Sequence, residues 1–319
     1  MRTIALVTLF CLFTAQLFSQ YYLKEGYIEM PHQQNINRPF TYKNLAVIPL
    51  FAGEKFLAEN TESINYTILE DALRKKKVVI TETESRGEDS AQVNGLFIEN
   101  VSNDTIFVMA GEVVKGGKQD RVISDDMVLL PHSGKIDLSV FCVEHNRWSY
   151  KSDRNFSGYY TVSANSVRKK AAVDKNQGQV WEEVDKVTTK QNANTSTGTY
   201  TALSQSDTYN EELKGYLDFF ISAFSGLNNC IGLVGISGDK IIGCDIFADA
   251  GLFEKQKKNL LNAYITETIS HGSPAKIDMQ KVQDYLGGFL DEHIDQDAKI
   301  REKGVQYEHN GKKVHINTY

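Results

Sequence analysis

Short apolar stretches separated by turn residues fill positions 44–145, and they constrain the fold of this chain more than any other feature. Each stretch combines β-branched or aromatic residues with a length typical of a single strand. The expected strands lie at residues 45–50, 78–80, 96–100, 105–109, 121–130 and 136–143. One short amphipathic helix is expected over residues 66–73. Several short strands at close spacing favour a sandwich or barrel-like lobe over a parallel sheet.

Three turn sequences predict hairpins. Ser102-Asn103-Asp104 is expected to join two of the N-terminal strands, and Gly238-Asp239 is expected to join strands at 231–236 and 241–247. Asn310-Gly311 is the strongest short turn signal in the chain. The chain is therefore expected to contain antiparallel pairs in both halves.

Helical periodicity dominates the second half of the chain. The expected helices lie at residues 163–189, with an interruption near Gly178, and at 213–224, 260–269 and 279–290, the last capped by Asp278. Residues 191–206 are rich in Asn, Thr and Ser and are expected to form a mobile surface loop. We therefore predict an α+β fold, with a β-rich lobe at 44–150 packed with helices and hairpins at 160–319.

The first nineteen residues have the three parts of a secretory signal peptide. Arg2 provides the positive start, residues 4–13 are mainly apolar, and residues 15–19 suit a cleavage site. Because the apolar run is shorter than the ~20 residues that span a bilayer, we expect cleavage and no transmembrane anchor. Lipidation at Cys11 is a minor alternative. The remaining residues, 20–319, are expected to form one domain in the periplasm or outside the cell.

The charge balance and the cysteines narrow the choice of partners. The formal net charge is −6, which argues against nucleic acid as a partner, although a local basic patch can still bind an anion. After cleavage, three cysteines remain: Cys142, Cys230 and Cys244. A regular hairpin at Gly238-Asp239 places Cys244 opposite Leu233 and not opposite Cys230. We therefore favour buried free thiols over a disulfide between Cys230 and Cys244.

The densest group of reactive side chains lies in residues 110–121, which read AGEVVKGGKQDR. Two adjacent glycines allow positive φ and expose backbone N–H groups, while the neighbouring cations attract an anion. The expected ligand-binding residues are Lys115, Gly116, Gly117, Lys118, Gln119 and Arg121. A β-bulge with solvated charges is the alternative. The segment is not a P-loop, because Gly117 intervenes between Gly116 and Lys118, and the lysine is followed by Gln119 in place of a serine or threonine.

A second group of candidates follows at residues 141–148. Arg147 can pair with Glu144 or stack on Trp148, and the indole ring suits a sugar or a nucleobase. The carboxylates of Glu112, Asp120 and Glu144 are candidate catalytic groups if they converge. Cys142 and His145 point to opposite faces of a strand, so they do not form a nucleophile and base pair. The sequence contains no specific metal-binding motif, and it leaves open whether a cofactor binds.

These two segments resemble the signature of the ADP-ribosylglycohydrolase- and rhodanese-phosphatase-associated domain family. Further landmarks follow in the expected order: Val167-Arg168, Gln179-Val180-Trp181, Gly243-Cys244-Asp245-Ile246-Phe247 and Leu260-Leu261-Asn262-Ala263-Tyr264. The family is named for its gene neighbours. Through those neighbours, the resemblance implies a ligand related to ADP-ribose or another nucleotide, but no particular reaction.

Together, these features predict an exported module that recognises an anionic small molecule, nucleotide-like or ADP-ribose-like, or a glycan. The alternatives are a hydrolase that uses the three carboxylates and an envelope interaction protein whose partners the sequence does not specify. The loop at Gly116-Gly117, called the glycine loop below, and residues 144–148 are expected to be neighbours in space. Replacement of Lys118 or Arg121 by alanine is expected to weaken anion binding with little change in stability, because both are taken as solvated cations.

Overall fold

The computed structural model describes residues 27–31, 40–60, 65–83, 95–147, 155–291 and 293–319. The expected signal peptide at residues 1–19 and the candidate Trp148 lie outside these ranges. No helix among the described residues is long and apolar enough to cross a membrane.

Sixteen strands and eight α-helices are formed by the described residues. The strands are β1 (Ile28–Glu29), β2 (Thr41–Tyr42), β3 (Leu45–Ala52), β4 (Thr67–Ile68), β5 (Val78–Glu82), β6 (Gly95–Asn100), β7 (Ile106–Val108), β8 (Glu112–Gly116), β9 (Arg121–Ile123), β10 (Met127–Leu129), β11 (Gly134–Cys142), β12 (Asn155–Val162), β13 (Cys230–Ser237), β14 (Lys240–Phe247), β15 (Gly304–His309) and β16 (Lys312–Thr318). The helices are α1 (Glu54–Glu59), α2 (Leu69–Arg74), α3 (Asn165–Ala172), α4 (Gln177–Lys190), α5 (Asp207–Phe224), α6 (Ala250–His271), α7 (Met279–Leu290) and α8 (Gln296–Lys303), and a 3₁₀-helix spans Tyr200–Gln205.

Six strands close into a barrel in the order β11-β6-β5-β12-β8-β9. All neighbouring strands are antiparallel. Alternate residues such as Ile80, Val114 and Ile123 fill the interior, whereas Val113 and Val122 face outward and pack with α3 and α4. The expectation of an α+β fold with a barrel-like half is confirmed.

A seven-stranded antiparallel sheet, in the order β1-β3-β13-β14-β16-β15 with β2 beside β3, forms the second layer. Its two faces contribute to different hydrophobic clusters: Leu233 packs with α5 and α6, and Val234 packs with α7. This burial on both faces explains why β3 and β13 are continuous apolar runs. A three-stranded sheet, β10-β7-β4, completes the fold.

The sheets do not follow the expected lobe boundaries. β3 lies within the expected β-rich lobe at 44–150, yet it pairs with β13 in the seven-stranded sheet. Conversely, β12 begins after residue 150 and pairs with β5 and β8 in the barrel. The two halves of the chain are therefore interleaved across the sheets.

The expected hairpin at Ser102-Asn103-Asp104 is wrong. β6 pairs with β5 and β11, whereas β7 pairs with β4 and β10. The cause is the buried side chain of Asn100, which donates hydrogen bonds to the carbonyl oxygens of Asp104 and Leu130 at 2.7 and 2.9 Å. These bonds stabilise a turn that directs the chain out of the barrel.

The two other hairpins are confirmed. β13 and β14 turn at Gly238-Asp239, and β15 and β16 turn at Asn310-Gly311. An irregularity near Gly235 shifts the first register, so Cys244 lies opposite Val234 and not opposite Leu233 as expected. The three described cysteines are buried and none of them forms a disulfide bond, as favoured from the sequence.

The expected helices are present, and so is the interruption expected near Gly178. The helix predicted at 163–189 is divided into α3 and α4, and the side chain of Asn176 caps α4 by accepting a hydrogen bond from the Gln179 N–H at 3.0 Å. The segment 191–206, expected as a mobile loop, contains the 3₁₀-helix. Tyr200 and Leu203 of this helix are fully buried against the outside of the barrel. This burial fixes the segment to the fold.

Candidate functional site

The candidate site lies at one end of the barrel, where β5, β8 and β11 end and β6, β9 and β12 begin. The glycine loop leaves the barrel here, and the segment after β11 passes beside it. Arg147 Nη1 donates a hydrogen bond to the Gly117 carbonyl oxygen at 3.1 Å. The glycine loop and residues 144–147 are therefore neighbours, as expected from the sequence.

Both loop glycines have the positive φ expected from the sequence: 130° at Gly116 and 53° at Gly117. A Cβ atom on Gly117 would lie 2.4 Å from the ring of Phe156 and 2.6 Å from Glu82 Oε1. The second glycine is therefore required both by its conformation and by the close approach of neighbouring side chains.

The backbone N–H groups of this loop are not exposed, contrary to the expectation from the sequence. The Gly116 N–H donates to Asp120 Oδ1 at 3.2 Å, and the Lys118 N–H donates to Glu82 Oε1 at 2.7 Å. The Asp120 N–H donates to Glu144 Oε2 at 3.1 Å. Buried N–H groups need partners, and here the chain supplies its own carboxylates. An external anion therefore finds these N–H groups already occupied.

Asp120 braces the loop against the rest of the barrel end. Beyond the Gly116 N–H, its Oδ1 accepts from Arg147 Nη2 at 3.1 Å, and its Oδ2 accepts from the hydroxyls of Thr199 and Thr201, both at 3.0 Å. The two threonines were missed in the sequence, because they lie in a polar stretch that gave no sign of a fixed position. With four donors, this carboxylate has a clear structural role.

Glu144 and Arg147 form the outer part of the site. Arg147 Nε and Nη2 both lie 2.7 Å from Glu144 Oε2, and the Arg147 side chain remains 31% exposed. Gln119 is buried and donates from Nε2 to the Glu144 carbonyl oxygen at 2.8 Å. Arg147 therefore joins two of the three candidate carboxylates, those of Asp120 and Glu144.

The two lysines occupy different positions on the rim. Lys115 is exposed, with Nζ 5.8 Å from the centre of the Tyr160 ring, on the outside of the barrel. Lys118 is half-buried beside the glycine loop. The backbone N–H of Lys118 is itself one of the loop amides, and it donates to Glu82.

Arg121 is buried inside the barrel end and is not a solvated cation, contrary to the expectation from the sequence. Its side chain is 1% exposed. Nη1 donates to the Gln119 carbonyl oxygen at 2.7 Å, whereas Nη2 lies 3.7 Å from Glu82 Oε1. Within the part of the chain that the structure describes, Nε and Nη2 have no hydrogen-bond partner. An alanine at this position is therefore expected to reduce stability as well as any binding.

Glu82 is buried beside Arg121 at the barrel end, and the sequence analysis did not identify it as a site residue. Strand alternation could have found it, because Val78, Ile80 and Glu82 share the face of β5 that lines the barrel. Cys142 enters the same space at the end of β11. Burial raises the pKa of the Cys142 thiol to about 11, although the charge of Arg121 opposes this shift. The thiol is therefore neutral and acts as a small apolar group.

Glu112, the third candidate carboxylate, lies at the start of β8 and does not join the other two. Gly116 lies four residue steps further along the strand, which corresponds to about 13 Å. Burial raises the pKa of Glu112 to about 8. Its oxygens accept from the Met109 N–H at 2.8 Å and the Tyr159 hydroxyl at 3.2 Å.

A buried charge network lies beside Glu112 and links the barrel to the seven-stranded sheet. Asp245 accepts from both terminal nitrogens of Arg168, at 3.0 and 3.2 Å, and lies 3.0 Å from His315 Nε2. His315 Nδ1 lies 2.6 Å from Asp126 Oδ2. The Ala110 N–H donates to Asp126, and the Ala110 carbonyl accepts from Arg168. The segment 110–121 therefore contacts this network at its first residue and contributes to the candidate site at its other end.

Neighbouring charges in this network decide the protonation states of His315 and Asp245. Burial lowers the pKa of His315, but the charges of Asp126 and Asp245 outweigh it and raise the value to about 9. Burial raises the pKa of Asp245, but Arg168 and His315 outweigh it and hold the value well below its usual range. The positive charges of Arg168 and His315 are therefore compensated by the carboxylates of Asp126 and Asp245. Across the described residues, no group of three or more His, Cys, Asp or Glu side chains is arranged to hold a metal ion.

Comparison with known proteins identifies the family. The model of the ARG and Rhodanese-Phosphatase-superfamily-associated Protein domain matches residues 33–317. No curated protein and no solved structure matches the chain. The matched range includes the barrel, every residue of the candidate site, and the seven-stranded sheet except β1 and the last residue of β16. The chain therefore belongs to the ARG and Rhodanese-Phosphatase-superfamily-associated Protein domain family.

Proposed function

We propose that this chain is an exported binding module that takes one oxygen-bearing group of a small ligand into the barrel end. The single observation that supports it is the Nε and Nη2 edge of Arg121, which has no hydrogen-bond partner among the described residues. Buried donors without partners are rare, and each costs about 1–3 kcal/mol of stability. A ligand oxygen placed there recovers that cost. The candidate ligands are an anionic small molecule, such as a nucleotide-like or ADP-ribose-like compound, and a glycan.

The chemistry of the guanidinium group favours a ligand with two adjacent oxygens. The N–H of Nε and one N–H of Nη2 point the same way and form a fork that matches paired acceptors. Arg147 uses this pair of nitrogens to hold Glu144. On Arg121 the same pair has no hydrogen-bond partner among the described residues, although Nη2 lies 3.7 Å from Glu82 Oε1. The residues that border this barrel end, Thr83, Gly95 and Asn155, are half-buried or exposed. The proposal requires a ligand to enter the barrel end past these residues.

A hydrolase that uses the three candidate carboxylates has less support. Asp120 and Glu144 are already engaged by Arg147 and by backbone N–H groups. Glu112 lies at the far end of β8. A general acid and base pair requires carboxylates that face a common substrate position, and these three do not. Binding without catalysis is the simpler function for this site.

Replacing Arg121 with lysine is expected to abolish ligand binding, because lysine keeps the positive charge but lacks the fork. The test is a thermal-shift measurement with inorganic phosphate, ADP-ribose and methyl glycosides, since binding to the native state raises the melting temperature. The control is Asn100→Ala, a destabilising change at the opposite barrel end, which should keep the ligand-induced shift. Absence of any shift with the parent protein, or an unchanged shift in Arg121→Lys, would refute the proposal.

Export is the second part of the proposal, and the three-part pattern of residues 1–19 supports it. We expect the protein in the periplasmic or extracellular fraction, with a mature N-terminus near Gln20. Cell fractionation followed by N-terminal sequencing measures both. Recovery of the uncleaved chain in the cytoplasm would contradict the proposed localisation.

A further inference from the structure

We infer that the ligand group received by Arg121 is a vicinal diol of a sugar, the group that ribose and many pyranoses share. The inference rests on the proposed binding function and specifies the ligand of that same site. It is carried by two observations: the charge balance of the barrel end, and the position of Glu82 beside the unpaired edge of Arg121.

Counted over the described residues alone, the charges at the barrel end balance. Among the described residues, the cations are Arg121, Arg147 and Lys118, and the carboxylates are Glu82, Asp120 and Glu144. Lys115 lies on the outside of the barrel, over a tyrosine ring. A phosphate group would therefore add uncompensated negative charge to an enclosed position beside Glu82. Such a charge is costly to bury, so the site favours an uncharged ligand group.

The hydrogen-bonding groups point to the same conclusion. Arg121 offers two donors, and Glu82 Oε1, an acceptor, lies 3.7 Å from Arg121 Nη2. A hydroxyl group both accepts and donates, whereas a carboxylate or phosphate oxygen only accepts. Two adjacent hydroxyls can therefore accept from Nε and Nη2 of Arg121 while one of them donates to Glu82. A carboxylate in the same place would face Glu82 without a proton between the two groups.

Glycine at 117 leaves no side chain on this part of the loop, where a Cβ atom would lie 2.6 Å from Glu82 Oε1. The Lys118 N–H holds the same Glu82 oxygen at 2.7 Å, which fixes the orientation of the carboxylate. The acceptor is thus positioned before the ligand arrives. Such preorganisation lowers the entropic cost of binding a small, flexible sugar.

The test is calorimetric titration of the purified protein with a matched pair of probes, methyl β-D-ribofuranoside and its 2-deoxy counterpart. Loss of one hydroxyl leaves buried polar groups unpaired, so we expect the deoxy probe to bind about tenfold more weakly or worse. Methyl α-D-mannopyranoside distinguishes a glycan from a nucleotide ribose as the source of the diol. Inorganic phosphate and acetate are the anion probes.

Glu82→Gln separates the inference from its alternatives. The variant removes one negative charge, so it should weaken ribofuranoside binding about tenfold but strengthen phosphate binding. Asp137→Asn, on the exposed outer face of β11, is the matched control and should change neither affinity. These opposite shifts are not expected if Glu82 only stabilises the loop.

The possible outcomes distinguish this inference from the proposed function. Arg121-dependent binding of phosphate or acetate without binding of the diol probes would overturn the diol inference and leave the binding function standing. Equal affinity for the ribose and deoxyribose probes would also overturn the inference. No binding of any probe would overturn both proposals.

Discussion

Replacing Asp245 with asparagine is expected to lower the free energy of unfolding by about 3–5 kcal/mol, the usual cost of removing one partner from a buried ion pair. Asp245 is fully buried and compensates both Arg168 and His315. It also accepts hydrogen bonds from Tyr264 at 2.6 Å and Asn317 at 2.8 Å. Asparagine keeps the size of the side chain but removes the charge, so two buried cations are left facing a single carboxylate, Asp126.

Urea denaturation of the parent and the variant measures this loss. The control is Asp218→Asn on α5, where Asp218 is 64% exposed and pairs with an exposed lysine. Exposed ion pairs contribute little to stability, so the control should unfold at the same urea concentration as the parent. If Asp245→Asn is as stable as the control, the network is not what joins the barrel to the seven-stranded sheet.

Replacing Glu112 with glutamine is expected to stabilise the protein by a few kcal/mol at pH 9 and to change its stability little near pH 5. Burial raises the pKa of Glu112 from 4.5 to about 8. Between these values the folded chain holds the proton more tightly than the unfolded chain does. The stability of the parent therefore falls as the pH rises through this range. Glutamine does not titrate and avoids the cost of a buried negative charge.

The measurement is the difference in unfolding free energy between Glu112→Gln and the parent at several pH values. His315, whose pKa is raised to about 9, stabilises the fold below pH 6.5 and loses this effect as the pH rises through 9. Because His315 is present in both proteins, its effect cancels in the difference. A difference that stays constant from pH 5 to pH 9, or a variant less stable at pH 9, would show that Glu112 is ionised in the folded chain.

Local patterns in the sequence predicted much of the fold. Short alternating strands indicated the barrel-like half, and apolar stripes located α5, α6 and α7. Pairing between distant strands was not predictable in the same way. β3 has no local feature that selects β13 over a barrel strand, and the turn built by Asn100 depends on carbonyl groups some thirty residues away. These choices are decided by tertiary packing.

The site was predicted in part. The glycine loop and the segment around Glu144 and Arg147 do meet, because both follow strands that end at the same barrel rim. The sequence did not show which charged side chains are buried, because burial depends on how the barrel closes. Arg121 has the appearance of a surface cation in the sequence, yet it is enclosed with Glu82.

The most direct test of the binding site is a crystal structure of the protein grown with methyl β-D-ribofuranoside. We predict ligand oxygens about 2.7–3.2 Å from both Nε and Nη2 of Arg121, the normal range for such hydrogen bonds. Glu82 should accept a hydrogen bond from the same ligand. A structure in which the Glu82 carboxylate itself fills the Nε and Nη2 edge of Arg121, with no ligand at the barrel end, would contradict the account.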